Sequence, residues 1–244
     1  MTEALSLPDD LVTDAVAAFD RYRFAYEHDL LTQRSWHAER DGRHLACALG
    51  VLGRDVNSPA DCPAQVMPRW LAKLVPNVFD ILAPDEAKAW GLALYEQLAR
   101  LRGNVPFSVV YDWQATSVLA FWADSLSKRK FDADALAAKL AAVERLKALH
   151  LKHLAGGAAP KDEWREALRQ AYAYADADAD ADAYADAYAD AYAYAYAYAE
   201  PTAKASADET PGDKFQRRRR ENLKLLADGL VQALARAPAP EAAA

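Results

Sequence analysis

"AYAYADADADADAYADAYADAYAYAYAYA", Ala171–Ala199, decides how this chain is read. Alanine holds every odd position, and tyrosine or aspartate holds every even one. A strict period of two ordinarily marks a strand with one buried face. Length overrules it here. As a strand the tract would extend about 95 Å, whereas strands in globular proteins seldom exceed about ten residues. It contains no glycine, proline or asparagine to fold it into hairpins. As a helix it spans roughly 44 Å at about 1.5 Å per residue, and alanine is the best helix former. Tyrosine and aspartate are poorer, but neither breaks a helix. The spacing therefore predicts a long Ala-rich helix. Disorder is the competing reading for a low-complexity segment of one charge sign, and the eight tyrosines argue against it.

On a helix, even positions advance about 200° per step, so side chains appear all round. The aspartates lean to one side and the tyrosines nearly opposite. That predicts a tyrosine-leaning face against the domain and an aspartate-leaning face toward water or a partner. Aspartate pairs at i,i+4, such as Asp176/Asp180 and Asp182/Asp186, each cost about 0.2–0.5 kcal/mol, so tertiary packing has to hold the helix. Asp176, Asp178, Asp180, Asp182, Asp186 and Asp190 have no lysine or arginine within the tract and account for six of the net seven negative charges. Charge so concentrated attracts a cationic partner and repels a nucleic-acid backbone. With Tyr184 and Tyr188 among them supplying contact area, these residues form the candidate partner-binding set. The alternative is a repeat expansion that merely lengthened a surface helix, and composition does not separate the two.

The rest of the chain sets bounds. A length of 244 residues can bury a core as one large domain or two small ones. At 52% hydrophobic and 27% charged, the composition is that of a soluble globular protein, and 9 glycines are too few for a turn-rich all-β fold. "MTEALSLPDD" lacks the basic run and apolar stretch of a signal peptide. No apolar run approaches a membrane span. Two cysteines, Cys47 and Cys62, cannot build a disulfide framework. The expectation is a reduced, cytoplasmic protein with no membrane partner.

An all-α, multi-helix bundle is expected, and no segment reads as a strand followed by a hairpin turn. Ser6-Leu7-Pro8-Asp9 looks like a cap opening a helix that spaces Val12, Val16, Phe19, Tyr22 and Tyr26 along one face. A second helix is expected over "RHLACALGVL", ending at Gly53. Pro59, Pro63, Pro68 and Pro76 limit the next stretch to short helices. "PDEAKAWGLALYEQLARLRGN" is the clearest helix: Pro84, Asp85 and Glu86 suit its N-terminus, Arg100 and Arg102 its C-terminus, and Gly103 its end. "YDWQATSVLAFWADSLS" predicts another. Asp132 caps a further helix with Leu136, Leu140, Val143 and Leu146 on one stripe. These signals divide the chain into a helical domain over 1–155, a hinge over 156–161, the long helix over 162–200 and a loop over 201–213. A closing helix that packs back follows over 214–236, with a tail over 237–244.

Candidate chemistry outside the tract is sparse. "SWHAERDGRHLAC" gathers His37, Glu39, Arg40, Asp41, Arg43, His44 and Cys47. Of a conceivable zinc set of His37, His44, Cys47 and Cys62, only His44/Cys47 has ligand spacing, so no metal is expected. A lone Cys/His pair is weak evidence for a nucleophile. The favoured reading is a small buried Cys47, with Asp41–Arg43 fixing a turn between helices. His150 and His153 are placed on a solvated helix end. Trp36, Trp70, Trp90, Trp113, Trp122 and Trp164 read as core or helix-contact residues. Arg217–Arg220 is a basic run for which the tract is the obvious counter-charge. No phosphate loop or nucleophile elbow occurs, so no catalytic residue and no cofactor is expected.

"WHAERDGRHLAC", "CPAQVMPRWLAKLVPNVFD" and "AKAWGLALYEQLARL", followed by a long Ala/Tyr tract and a closing helix, resemble the immunity-protein family encoded beside bacterial polymorphic toxins. Related chains occur in phages and mobile elements. The resemblance runs from Ser35 to Arg236 and implies an all-helical binding protein with no active site to carry over. The strict AY/AD alternation is more regular than the family's Ala-rich tract. The expected function is a non-enzymatic acidic inhibitor that docks on a basic toxin, nuclease or defence protein. The alternatives are a nucleic-acid mimic, or an enzyme using the His44/Cys47 region.

Overall fold

The computed structural model describes residues 6–128, 130–172 and 211–240. The fold is mainly α. It divides into two compact units, Met1–Pro106 with Leu234–Ala244, and Phe107–Ala233. Among the described residues no helix is long and apolar enough to cross a membrane.

The first unit holds α1 (Ala15–Glu27), a hairpin of β1 (His37–Arg40) and β2 (Arg43–Ala46), a 3-10 turn at Gly50–Leu52, α2 (Arg69–Ile81) and α3 (Pro84–Arg100). The helix expected from Pro8 begins instead at Ala15, where the Asp14 carboxylate accepts from the N–H groups of Val16 and Ala17. Residues before it are drawn into other bonds: Val12 N–H donates to Leu52 O, and Arg21 reaches the Asp10 carboxylate at 3.0 Å. Of the expected stripe Val12 and Tyr22 are buried, and alanines supply the rest of the buried face of α1. Ala15, Ala18, Tyr22 and Ala25 are buried, while Val16 and Tyr26 are exposed. Small residues on that face bring α1 close to α3. The Tyr22 ring stacks on Tyr95 at 4.7 Å and its hydroxyl donates to Lys88 O. A Cβ on Gly91 would meet that hydroxyl oxygen at 2.0 Å, so glycine there makes room for the tyrosine.

The hairpin is a departure from the all-helical expectation. Asp41 and Gly42 both have positive φ (54° and 69°), and the flanking strands pair antiparallel, Arg40 with Arg43 and His37 with Ala46. Positive φ at both central residues is the two-residue turn whose twist matches paired strands, and Asp-Gly is among its preferred sequences. Asp41–Arg43 thus turns a strand, not a helix. "RHLACALGVL" is likewise not one helix: Arg43–Ala46 is strand and only Gly50–Leu52 winds into a 3-10 turn. Ala46 also bridges to Leu31, which buries the apolar half of the segment as sheet. Further on, α2 runs through Pro76. α3 matches its signals: Pro84 opens it, Asp85 and Glu86 fill its first turn, and Arg100 stands in its last.

The second unit holds α4 (Ser108–Trp113), a π turn (Gln114–Val118), α5 (Leu119–Ser127), α6 (Ala133–Leu154), α7 (Lys161–Tyr172) and most of α8 (Pro211–Arg236). Asp132 caps α6 by accepting from Ala135 N–H. Leu146 and Val143 are buried on the expected stripe, with Leu136 and Leu140 half-buried. The Gly156-Gly157 turn sends α7 back along α6, and Trp164, Ala167 and Ala171 pack on Ala142, Val143, Leu146 and Leu149. α8 lies against the π turn, where Gly229 leaves space for Ser117 and Trp113 Nε1–H donates to Leu226 O at 2.9 Å.

Candidate functional site

The partner-binding set expected from the sequence, Asp176, Asp178, Asp180, Asp182, Tyr184, Asp186, Tyr188 and Asp190, lies outside the described residues. So does most of the long helix expected over 162–200, of which α7 forms the opening to Tyr172. On α8, Arg217 pairs with Glu221 at 3.0 Å and Lys224 with Asp228 at 2.8 Å, so both cations have partners on their own helix.

The sheet brings His37 and His44 together: Glu39 pairs with His44, and His37 lies two residues earlier, on the same strand face as Glu39. His37 Nδ1 lies 3.0 Å from His44 Nε2, and His37 Nε2 lies 3.1 Å from Val56 O. A carbonyl only accepts, so His37 carries its proton on Nε2 and its Nδ1 accepts from His44 Nε2–H. His44 Nδ1 is then a bare lone pair, buried and without a partner. Burial lowers both pKa values below the usual histidine range, and the nearby Arg54 lowers them further. The pair is a neutral, directional hydrogen bond that stitches the hairpin to the loop at Val56. Among the described residues no three His, Cys, Asp or Glu side chains gather to hold a metal ion.

Cys47 is buried, and its sulfur accepts from Gly50 N–H at 3.3 Å. Burial pushes its thiol up, opposite to what a nucleophile requires. Cys62 is pushed up to about 12 by the same cause. In the native protein at pH 8, alkylation of Cys47 should be slower than in denaturant by roughly tenfold or more. Native labelling as fast as the denatured rate, read by peptide mass spectrometry, would return Cys47 to the list of candidate nucleophiles.

A second histidine pair emerges where the sequence suggested only a solvated helix end. His150 is buried, 6% exposed, and His153 is half-buried beside it. Tyr111 of α4 lies 5.8 Å from the His150 ring and 4.9 Å from that of His153, and Trp164 of α7 meets His150 edge-on at 4.8 Å. His153 Nε2 accepts two N–H groups at once, Trp164 Nε1–H and Ala159 N–H, each at 3.2 Å. Its proton therefore sits on Nδ1. His150 Nδ1 is buried and unpartnered. Burial, with the charge of His153 added, pushes the His150 pKa down to about 4. The signal was present in the sequence: His150 continues the seven-residue repeat Leu136, Val143, and His153 follows Leu146 by the same step.

Comparison with protein-family models, with curated proteins and with solved structures finds no match to this chain. The resemblance to immunity proteins thus rests on the quoted residues alone.

Proposed function

We propose that the chain is a non-enzymatic acidic binding protein of the immunity type, which docks on a basic toxin, nuclease or defence protein and blocks its site. The observation that carries this reading is the placing of charge. Six aspartates stand within fifteen residues, Asp176 to Asp190, with no basic residue among them. A field that dense raises the encounter rate with a cationic surface and disfavours a phosphate backbone. The interleaved tyrosines add amphipathic contact area at low entropic cost.

The test uses the full chain and a variant with all six aspartates replaced by asparagine, measured against a panel of purified basic bacterial toxin domains. The wild-type chain should bind and inhibit a member of the panel. The variant should associate about tenfold or more slowly at low salt, and the difference should shrink as the Debye length falls below about 8 Å. Its circular dichroism spectrum should match that of the wild-type chain, so that a change in rate reads charge alone. Equal association rates with equal salt dependence would make the tract a spacer.

A further inference from the structure

We propose that the end of α6 and the start of α7 form an acid-opened clasp: protonation of His150 releases α7, which His153 holds to α6 through two accepted hydrogen bonds. Three features converge on it. The first is the double acceptor. His153 Nε2 holds both Ala159 N–H, in the connecting turn, and Trp164 Nε1–H, on α7. A ring nitrogen has one lone pair in the ring plane, and the imidazolium form places a hydrogen there, facing two donors. Neither bond survives that proton. The second is His150, whose Nδ1 has no partner in a site closed by Tyr111 and Trp164. Its charged form needs water or a partner, and the closed site supplies neither. The third is the turn itself. Gly156 has φ +81° with nothing within 4 Å of a Cβ position, while Gly157 N–H donates to Lys152 O at 2.9 Å, so the chain is fixed to α6 up to Gly157 and the clasp residues Ala159 and Trp164 lie beyond that anchor.

The surrounding charges leave His150 as the titrating element. From α4 the titratable side chains are Tyr111, against both rings, and its neighbour Asp112. On α5, Asp124 pairs with Lys128. On α7, Asp162 and Glu166 pair with Arg165 and Arg169, and Glu163 reaches Lys152 of α6 at 3.8 Å. On α6, Lys147 pairs with Glu144. The neighbouring charge that bears on His150 is that of His153, and it opposes protonation.

The sign follows from the lowered value. A histidine at about 4 when clasped and near 6.5 when released takes up its proton preferentially in the released state. The clasp is therefore at full strength above about pH 6.5 and weakens as pH falls toward 4. At pH 5 the opening equilibrium should rise about thirtyfold from His150 alone. α7 ends in Ala171 and Tyr172, the first two residues of the alternating tract, so the clasp bears on how firmly Ala171 is held against α6.

Hydrogen exchange by mass spectrometry on the full chain, corrected for the intrinsic pH dependence of exchange, tests this. Protection over residues 161–172 should fall more than tenfold between pH 7.5 and pH 5, while that of α3 changes less than twofold. His150→Leu combined with His153→Gln keeps an apolar side chain and an acceptor but leaves no imidazole in the clasp, and α7 should then stay protected at pH 5. Lys152→Gln removes the ion pair to Glu163 and leaves both histidines, so its acid response should match wild type. The proposal fails if wild-type α7 is as protected at pH 5 as at pH 7.5, or if α3 opens in parallel. It also fails if Lys152→Gln alone abolishes the response. Should the double variant not fold, the wild-type comparison of α7 with α3 decides the matter alone.

Discussion

Gly103→Ala should cost the first unit about 2–5 kcal/mol. Gly103 follows α3 with φ +73°, in the left-handed region where a Cβ costs about 1–2 kcal/mol. The larger obstacle is space. A Cβ there would lie 1.8 Å from Gln65 O and 2.7 Å from the Gln65 carbonyl carbon, both main-chain atoms that cannot rotate aside. Displacing packed backbone adds about 1–3 kcal/mol. The melting temperature should fall on the order of 10 °C for a chain of this size. Gly42→Ala separates the two contributions, because Gly42 has a similar φ of +69° but nothing within 4 Å of its Cβ position. It should cost about 1–2 kcal/mol and no more. Equal melting points for the two variants would show that contact with Gln65 is not what demands glycine at 103.

Trp113→Ala should have the largest effect in the second unit, about 3–5 kcal/mol. Trp113 is 1% exposed, stands at the start of the π turn, and donates its indole N–H to Leu226 O of α8. Alanine removes the ring and the bond together. Trp113→Phe keeps an aromatic ring and loses the donor and part of the volume, so about 1–2 kcal/mol is expected. Urea denaturation followed by circular dichroism reads both. A phenylalanine variant as unstable as the alanine variant would mean that the hydrogen bond, not the filled volume, secures α8.

Where local signals agreed with one another, the sequence was a sound guide. α3 carries proline, two acids, two arginines and a closing glycine in order, and the structure places all but Arg102 in those roles: Arg102 lies past the C-cap Leu101 with φ 50°. Asp132 at the head of α6 is equally plain. The misreadings come from competing signals. Asp41-Gly42 is a strong hairpin signal, but the apolar run after it has enough leucine and alanine to read as helix. Pairing with His37–Arg40 and the bridge to Leu31 settle it as strand, and both are long-range facts. Pro8 suits a first helical turn, yet Asp14 offers a real cap and the preceding backbone is held by Leu52 and Arg21. Residue type alone reads His150 and His153 as a solvated helix end, whereas their positions on the apolar repeats of α6 are the better guide. The aspartate and tyrosine set of the tract was legible as charge and spacing only.

The first unit is discontinuous in the chain: Met1–Pro106 is joined by Leu234–Ala244. Arg100, half-buried at the end of α3, is where the two pieces meet, donating to Leu234 O and to Ala237 O at 3.0 Å. During synthesis this guanidinium emerges long before its acceptors, and at ordinary elongation rates the interval is roughly ten seconds. All of Phe107–Ala233 is made in between. The unit begun before Phe107 is therefore completed only after Ala233 has been made, and a chain stalled before residue 234 leaves Arg100 with Gln97 Oε1 of its own helix and without the two carbonyls that close the unit.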